Sequence, residues 1–352
     1  MKILVISDAW QPQVNGVVRT YEHLRDMLEK RGHEFKIVGP SDFPFTIPTP
    51  GYSEIKLALA PSGRIRRIYE DYKPDRVHVA TEGPLGWAAR NFLYKRGIPF
   101  TTSYHTQFPD YLAKRVGKPF PFLHDWVQKT ATRTLKKFHS PAYSIFVATR
   151  SLEEDLASKG FSVPMKRLTR GVNIDIFHPG KSPLEGQFKK PVAIYVGRVA
   201  IEKNLKAFLG MEWNGSKVIV GEGPSKKYLQ RLYPEAHFVG KKIGDDLADH
   251  YRASDVFVFP SRTDTFGIVL IEALACGVPV AAYPVMGPQD IVVQPFLGSI
   301  DDDLEKAAQE AMKNGTSEQR FAHVKEHYTW EKAADQFISA VEAIEEENIV
   351  QS

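Results

Sequence analysis

The chain has 352 residues and a mass of 39.7 kDa, enough for two domains at about 150 residues each. Its 43% hydrophobic and 25% charged residues exclude disorder, collagen-like and coiled-coil rods, and its single cysteine, Cys276, excludes an internal disulfide and a cysteine-cluster metal site. The net charge of +4 is unevenly spread: residues 1–180 hold 27 Lys and Arg against 17 Asp and Glu, or +10, whereas residues 181–352 hold 19 against 25, or −6.

Residues 2–7 form an apolar run suited to a buried parallel strand, and the chain start lacks the apolar core and cleavage site of a secretory signal. A loop, Gln11 to Gly16, leads into a helix with Leu24, Met27 and Leu28 on one face, which ends at Gly32 before a strand at Phe35–Val38. Further strands are expected at Arg76–Ala80, Phe100–Tyr104 and Ile145–Ala148. Residues 179–190, opening with Pro179 and Gly180, carry no periodicity and read as a linker. The alternation then repeats, with strands at Val192–Val196, Lys217–Val220, His237–Val239, Val256–Phe259 and Val278–Ala282. The apolar stretch Gly267 to Gly287 holds one charge, Glu272, and is broken by Gly277, Pro279 and Pro284, so it reads as a buried helix and strand rather than a membrane span. Residues 330–352 begin as an amphipathic helix with Ala333, Phe337, Ile338, Val341 and Ile344 on its apolar face.

Strands separated by helical segments imply right-handed βαβ units. The expected architecture is therefore α/β: two Rossmann-like, doubly wound parallel-sheet domains at 1–178 and 191–329 facing a cleft, with helix 330–352 returning to the first domain. Ligands of such sheets sit at the carboxyl ends of the strands, so the chemistry is sought there.

After the first strand, Gly16 at a helix entrance lets backbone N–H groups approach a ligand, or is a plain turn glycine; the pattern is not the G-x-G-x-x-G of dinucleotide dehydrogenases. His105 follows Phe100–Tyr104 directly and is placed for hydrogen bonding or proton transfer. Ser7 and Ser103 lack a nucleophile-elbow context. In the second half, Arg198 and Lys203 place two cations at a strand end, a spacing that fits a diphosphate. Gly221 and Gly223 either admit a flat base or sugar ring or are turn chemistry. Thr263, Asp264 and Thr265 read as caps of a helix starting near Phe266, whose first turn, with Gly267, offers N–H groups to an anion. Glu272, inside that apolar helix, needs donors, either ribose hydroxyls or an internal base such as Arg198. Asp301–Asp303 read as a helix cap, and the histidines show no metal-ligand spacing, so no metal and no cofactor are expected.

Residues 101–137 interleave Lys114, Arg115, Lys118, Lys129, Arg133, Lys136 and Lys137 with apolar residues such as Trp126. Such a stretch suits an anionic membrane surface, or is the solvated face of an ordinary helix; no nucleic-acid motif accompanies it.

Taken together, Gly16, Gly197-Arg198 with Glu202-Lys203-Asn204, Gly221-Glu222-Gly223-Pro224 and an acidic pair eight residues apart, Asp264 and Glu272, closely resemble the retaining family-4 glycosyltransferases of GT-B fold. In that family the pair is two glutamates; here the first is Asp264, one methylene shorter. The stretches Asp8–Thr20, Ala80–Gly86 and Thr102–Tyr111 are similar to the subgroup of bacterial mannosyltransferases and sulfoquinovosyl- or glucuronosyl-diacylglycerol synthases. The resemblance implies that a nucleotide-diphosphate sugar is the co-substrate, that Arg198 and Lys203 hold its diphosphate, and that Glu272 takes the ribose. It further implies that Asp264 takes a hydroxyl of the transferred sugar, with His105 near the reacting carbon, and that transfer is metal-independent. A lipid acceptor and a cytoplasmic enzyme on the inner face of the plasma membrane are expected. The rival readings are a GDP-mannose-dependent mannosyltransferase acting on a polysaccharide or phosphoinositide, a nucleotide-sugar 2-epimerase and a non-catalytic glycan-binding module.

Overall fold

The computed structural model describes residues 1–11, 13, 15–49, 52–59, 61–105, 124–264 and 266–350. The chain divides into two compact units, Met1–Thr169 with Ala333–Ser352, and Arg170–Lys332. The division thus falls at Thr169, ahead of the expected linker.

The first unit runs β1 (Lys2–Ile6), α1 (Gly16–Lys30), β2 (Glu34–Val38), β3 (Thr46–Thr49), β4 (Tyr52–Ala58), α2 (Ser62–Tyr72), β5 (Arg76–Val79), α3 (Pro84–Lys95), β6 (Thr101–Tyr104), α4 (His124–His139), β7 (Ser144–Val147), α5 (Arg150–Ser158) and β8 (Met165–Arg167). Six of these strands form a parallel sheet in the order β2-β1-β5-β6-β7-β8, while β3 and β4 pair as an antiparallel hairpin. The second unit continues with β9 (Val192–Val196), α6 (Leu205–Leu209), β10 (Ser216–Val220), α7 (Lys226–Leu232), β11 (His237–Gly240), α8 (Gly244–Arg252), β12 (Val256–Phe259), α9 (Ile268–Ala275), β13 (Val280–Ala282), α10 (Pro288–Ile291), β14 (Gly298–Ile300), α11 (Leu304–Ala311) and α12 (Ser317–His327). Its sheet is also parallel, in the order β11-β10-β9-β12-β13-β14. The last helix, α13 (Trp330–Val350), starts in the second unit and passes into the first at Ala333.

The sequence of β1 and β9 explains their central position. Both are apolar runs, Lys-Ile-Leu-Val-Ile and Val-Ala-Ile-Tyr-Val, buried on both faces, as a strand covered by helices on each side must be. In each sheet the strand order reverses beside that strand, between β1 and β5 and between β9 and β12. At such a reversal the loops leave in opposite directions and open a crevice at the strands' carboxyl ends. The second unit therefore places Gly197–Asn204 beside Pro260–Asp264. The cap at Asp301–Asp303 is as expected: Asp303 accepts from the N–H groups of Glu305 and Lys306.

Candidate functional site

In the second unit the backbones leaving β9, β10 and β11 stay in step. Gly197 N–H donates to Val220 O at 3.0 Å, Val199 N–H to Glu222 O at 2.9 Å and Gly221 N–H to Gly240 O at 2.8 Å. A Cβ on Gly221, at φ +149°, would lie 1.9 Å from Gly197 O, and one on Gly223 would lie 2.3 Å from Val199 O. The close approach of these backbones demands glycine at both positions. Tyr195, which the sequence reading passed over, donates its hydroxyl to Arg198 O at 2.9 Å and fixes the turn from below. Burial, with Asp264 and Glu202 nearby, pushes its phenol above the ordinary range.

Arg198 is exposed at this strand end, and Lys203 follows on the single turn Ile201–Lys203. The Lys203 ammonium donates to both carboxylate oxygens of Asp264, at 2.6 and 2.8 Å, across the β9/β12 reversal. Both side chains are about one quarter exposed, at 23% and 25%. Asn204, in the left-handed region at φ +54°, ties the same two loops by donating from Nδ2 to Pro260 O at 3.2 Å. Asp264 is therefore an ion-pair partner and not the helix cap expected from its type. The helix also begins later than expected: α9 starts at Ile268, with Gly267 left-handed at its N-cap, φ +84°. Phe266 precedes the helix, buried, with its ring edge-on to Tyr328 at 6.0 Å. Thr265 lies outside the described residues. Gly287, after β13, is a residue that sequence reasoning missed; a Cβ there would sit 2.9 Å from Phe266 O and 3.3 Å from Asp264 O.

Glu272 is 7% exposed on α9. Tyr251 of α8 donates its hydroxyl to Glu272 Oε2 at 3.2 Å, within reach also of Val269 O at 3.3 Å. Burial first, then the carboxylate charge, pushes the Tyr251 phenol well above its usual range. A tyrosine hydroxyl was absent from the donors the sequence suggested for this acid. The one signal for it was Tyr251 itself, an aromatic residue near the end of an amphipathic helix.

In the first unit, Asn15 caps α1 by accepting from Val17 and Val18 N–H, both at 3.0 Å. A Cβ on Gly16 would meet nothing within 4 Å among the described residues. Asp8 at the end of β1 is taken up structurally, accepting from Leu85 N–H, Gly86 N–H and Thr81 Oγ1 at the start of α3. His105 follows β6, and its Nε2 lies 3.2 Å from the Tyr21 hydroxyl. That hydroxyl also meets His78 Nε2 at 2.7 Å and Ser103 Oγ at 2.9 Å. Burial holds the His78 ring down at about 3, so it is uncharged at neutral pH.

On α4, Trp126 is 64% exposed, and Lys129, Arg133 and Lys137 are exposed at helical spacing from it, forming one basic stripe. Lys136 departs from the expectation: it is half-buried, its ammonium 2.9 Å from where a Cβ on Gly160 would stand. Lys114 and Arg115 lie outside the described residues. Among the described residues no helix is long and apolar enough to cross a membrane, and no group of three or more His, Cys, Asp or Glu is arranged to hold a metal ion.

Residues 14–176 match the family described as Glycosyltransferase Family 4, and residues 190–314 that described as Glycosyl transferases group 1. The chain is a glycosyltransferase of this group, with the GT-B fold. The glycosyltransferase is 29% identical to a sulfoquinovosyl transferase of Arabidopsis thaliana over 73% of its own length, and spans about half, 51%, of that relative. It is 28% identical to a GDP-mannose-dependent alpha-mannosyltransferase of Mycobacterium tuberculosis, covering 83% of this chain and 81% of the relative. An alpha-monoglucosyldiacylglycerol synthase of Acholeplasma laidlawii is 25% identical, over 80% and 79% of the two chains. Among solved structures, sucrose-phosphate synthase of Thermosynechococcus elongatus superimposes with a TM-score of 0.73 at 19% identity, over 100% of both chains, a likeness of fold.

Proposed function

We propose that this glycosyltransferase moves a hexose or uronic acid from a nucleotide-diphosphate sugar to a membrane lipid such as diacylglycerol, forming an α-glycosidic bond with retention. The observation that carries the reading is the Lys203–Asp264 ion pair at the strand-order reversal of the second sheet, with Arg198 exposed at the end of β9. Two cations at fixed positions suit a diphosphate leaving group, and they stabilise the negative charge that grows on it as the glycosidic bond breaks. In the resting structure Lys203 is neutralised by Asp264, so a diphosphate must share its three N–H donors with that carboxylate.

Glu272 is assigned to the ribose hydroxyls, beside the bond it already accepts from Tyr251. Asp264 is assigned to a hydroxyl of the transferred sugar, His105 to the sugar near its reacting carbon, and the N–H groups at Gly16 and Gly267 to the phosphates or sugar. The acceptor hydroxyl attacks the anomeric carbon on the face that the phosphate leaves, and the departing phosphate oxygen takes the acceptor's proton. That route asks for no side-chain base and no metal. The lipid acceptor rests on the exposed Trp126–Lys129–Arg133–Lys137 stripe and on the diacylglycerol synthase relative, and it places the enzyme on the inner face of a membrane. A second reading, a GDP-mannose-dependent mannosyltransferase, is favoured by the likeness to the mycobacterial enzyme over most of both chains.

Turnover of UDP- and GDP-sugars is to be measured with diacylglycerol vesicles and with water-soluble glycan acceptors. Arg198→Ala and Lys203→Ala are each expected to lose about 10²-fold in kcat, the size of a lost oxyanion donor. Near-normal turnover in both variants overturns the assignment. Transfer from GDP-mannose to soluble acceptors alone selects the second reading.

A further inference from the structure

Two acids stand where β1 and β5 end, at the strand-order reversal of the first sheet: Asp8 and Glu82. Asp8 is 7% exposed and is spent on the fold, its carboxylate accepting from Thr81 Oγ1 at 3.0 Å, Leu85 N–H at 2.9 Å and Gly86 N–H at 3.2 Å. Gly83 keeps that cap closed, since a Cβ there would lie 2.4 Å from Asp8 Cγ. Glu82, one residue beyond Thr81 on the same loop, accepts no hydrogen bond among the described residues, and its side chain is 23% exposed.

Behind Glu82 stands His139, at 0% exposure in the last position of α4. Its Nδ1 meets Thr102 Oγ1 at 2.8 Å, and Phe138 and Phe161 flank the ring at 4.9 and 6.0 Å between centroids. Its Nε2 lies 3.4 Å from Glu82 Oε1 but out of hydrogen-bond alignment, a buried polar atom without a hydrogen-bond partner among the described residues. The imidazole is thus a wall behind the acid and not a donor to it. Burial raises the Asp8 carboxyl above its usual range, against its hydrogen bonds, and the nearby Glu82 charge raises it further. A partly buried carboxylate set near another acid, with no donor of its own, costs the fold stability. Its oxygens are open to a donor from outside the chain.

A carboxylate accepts hydrogen bonds and repels phosphate, so the group that suits Glu82 is a hydroxyl. The diphosphate, the ribose and the transferred sugar are assigned to Arg198, Lys203, Glu272, Asp264 and His105, whereas the acceptor has no side chain to receive it. We propose that Glu82 binds the acceptor, its carboxylate taking a hydrogen bond from a hydroxyl next to the one that reacts. The reacting hydroxyl is not the one held, since its single proton goes to the departing phosphate oxygen. The acceptor therefore carries a second hydroxyl, which within the lipid reading selects a sugar or polyol headgroup over bare diacylglycerol. The inference rests on the reading of the chain as a transferase to a hydroxyl acceptor, with the diphosphate on Arg198 and Lys203.

The test is Glu82→Ala in the full-length enzyme, with KM measured for two lipids in the same vesicles. Glucosyl-dioleoylglycerol carries hydroxyls beside any that reacts, and dioleoylglycerol carries one hydroxyl only. The KM for the glucosyl lipid is expected to rise about tenfold or more, the size of a lost hydrogen bond to a charged group. The KM values for dioleoylglycerol and for the sugar donor are expected to stay within about twofold. A glucosyl-lipid KM within about twofold of native overturns the proposal, even where the urea midpoint falls, because Glu82 then serves the fold alone. A native enzyme that uses dioleoylglycerol and no acceptor with a second hydroxyl overturns it too. If Glu82→Ala does not fold, Glu82→Gln, which keeps the shape and loses the charge, is expected to raise the same KM about fivefold, with the same limit. Transfer to methyl α-mannoside and to neither lipid overturns the lipid reading alone, and Glu82 is then judged by the KM for that mannoside. Near-normal turnover in Arg198→Ala and Lys203→Ala overturns the diphosphate assignment, and is scored apart from the acceptor KM.

Discussion

Glu272 is a buried acid that meets a hydroxyl donor from the neighbouring helix. The carboxylate lies in a helix whose other buried positions are Leu270, Ile271, Ala273, Leu274 and Ala275, apolar surroundings in which a carboxylate needs hydrogen-bond donors. The Tyr251 hydroxyl supplies a donor at 3.2 Å, from a phenol that burial prevents from ionising. Tyr251→Phe removes this hydrogen bond, and the loss is expected to be about 1–3 kcal/mol of stability, read as a lower urea midpoint at unchanged m-value. Glu272→Gln in the Tyr251→Phe background should recover part of the loss, because an amide is cheaper to leave under-bonded than a carboxylate. A midpoint that Tyr251→Phe does not move would show the bond to be dispensable. Neither residue's role was legible in the sequence alone: the charge inside an apolar helix marked Glu272, but Tyr251 reads as one more core aromatic until the helices are packed.

At the scale of elements, strands that are buried on both faces announced themselves as apolar runs, and β1, β9 and β12 stand where those runs stand. The strands that escaped notice lack such runs. β8 is Met-Lys-Arg at a sheet edge, β14 is Gly-Ser-Ile, and β3 carries Pro48 within a hairpin. The polar set under His105 escaped for a related reason: Thr101 and Ser103 sit in a strand that is buried at every residue, where a pattern based on hydrophobicity sees only a short weak strand. The start of α9 was misplaced because Asp264 has the type of a cap, whereas its carboxylate is held by Lys203 sixty-one positions earlier in the chain. Element junctions also set limits on substitution. Gly221→Ala must place a methyl 1.9 Å from Gly197 O at a φ of +149°, so the β9 and β10 turns cannot both keep their place. A loss of at least about 2 kcal/mol is expected, measured by chemical denaturation, with a weaker nucleotide-induced rise in melting temperature. A variant as stable as the native enzyme would mean that these turns are free to move apart. For α4, replacing Lys129, Arg133 and Lys137 together by Gln should weaken binding to anionic vesicles about 10²-fold, at about 1 kcal/mol for each base, and leave binding to neutral vesicles unchanged. Equal loss on both kinds of vesicle would assign the stripe to something other than charge.

At the scale of the whole chain, the two units are built in different ways. The second is one continuous stretch, Arg170–Lys332, whereas the first is interrupted at Thr169 and resumed at Ala333. The resumption is structural. Phe337 of α13 is at 0% exposure and stacks on Phe146 of β7 at 5.4 Å, with Phe35 of β2 at 5.9 Å and His78 at 5.4 Å around it. Arg76 donates to Val341 O at 2.8 Å, Tyr143 to Ala343 O at 3.0 Å, and Thr169 N–H to Gln336 Oε1 at 2.8 Å. The first sheet therefore takes one of its core aromatics from α13, and that same phenylalanine lies against the His78 ring that meets the Tyr21 hydroxyl. Phe337→Ala opens a cavity at this point and is expected to cost about 3–5 kcal/mol, confined to the unit it belongs to. Hydrogen exchange on the full-length variant should show amides of β1, β5 and β7 exchanging faster, while those of β9, β12 and α9 keep their native rates. The thermal shift produced by a nucleoside diphosphate should persist, since the proposed diphosphate ligands Arg198 and Lys203 belong to the unit left intact. Exchange that quickens equally in both sheets would show instead that the two units unfold as one, and that α13 carries stability from the first into the second.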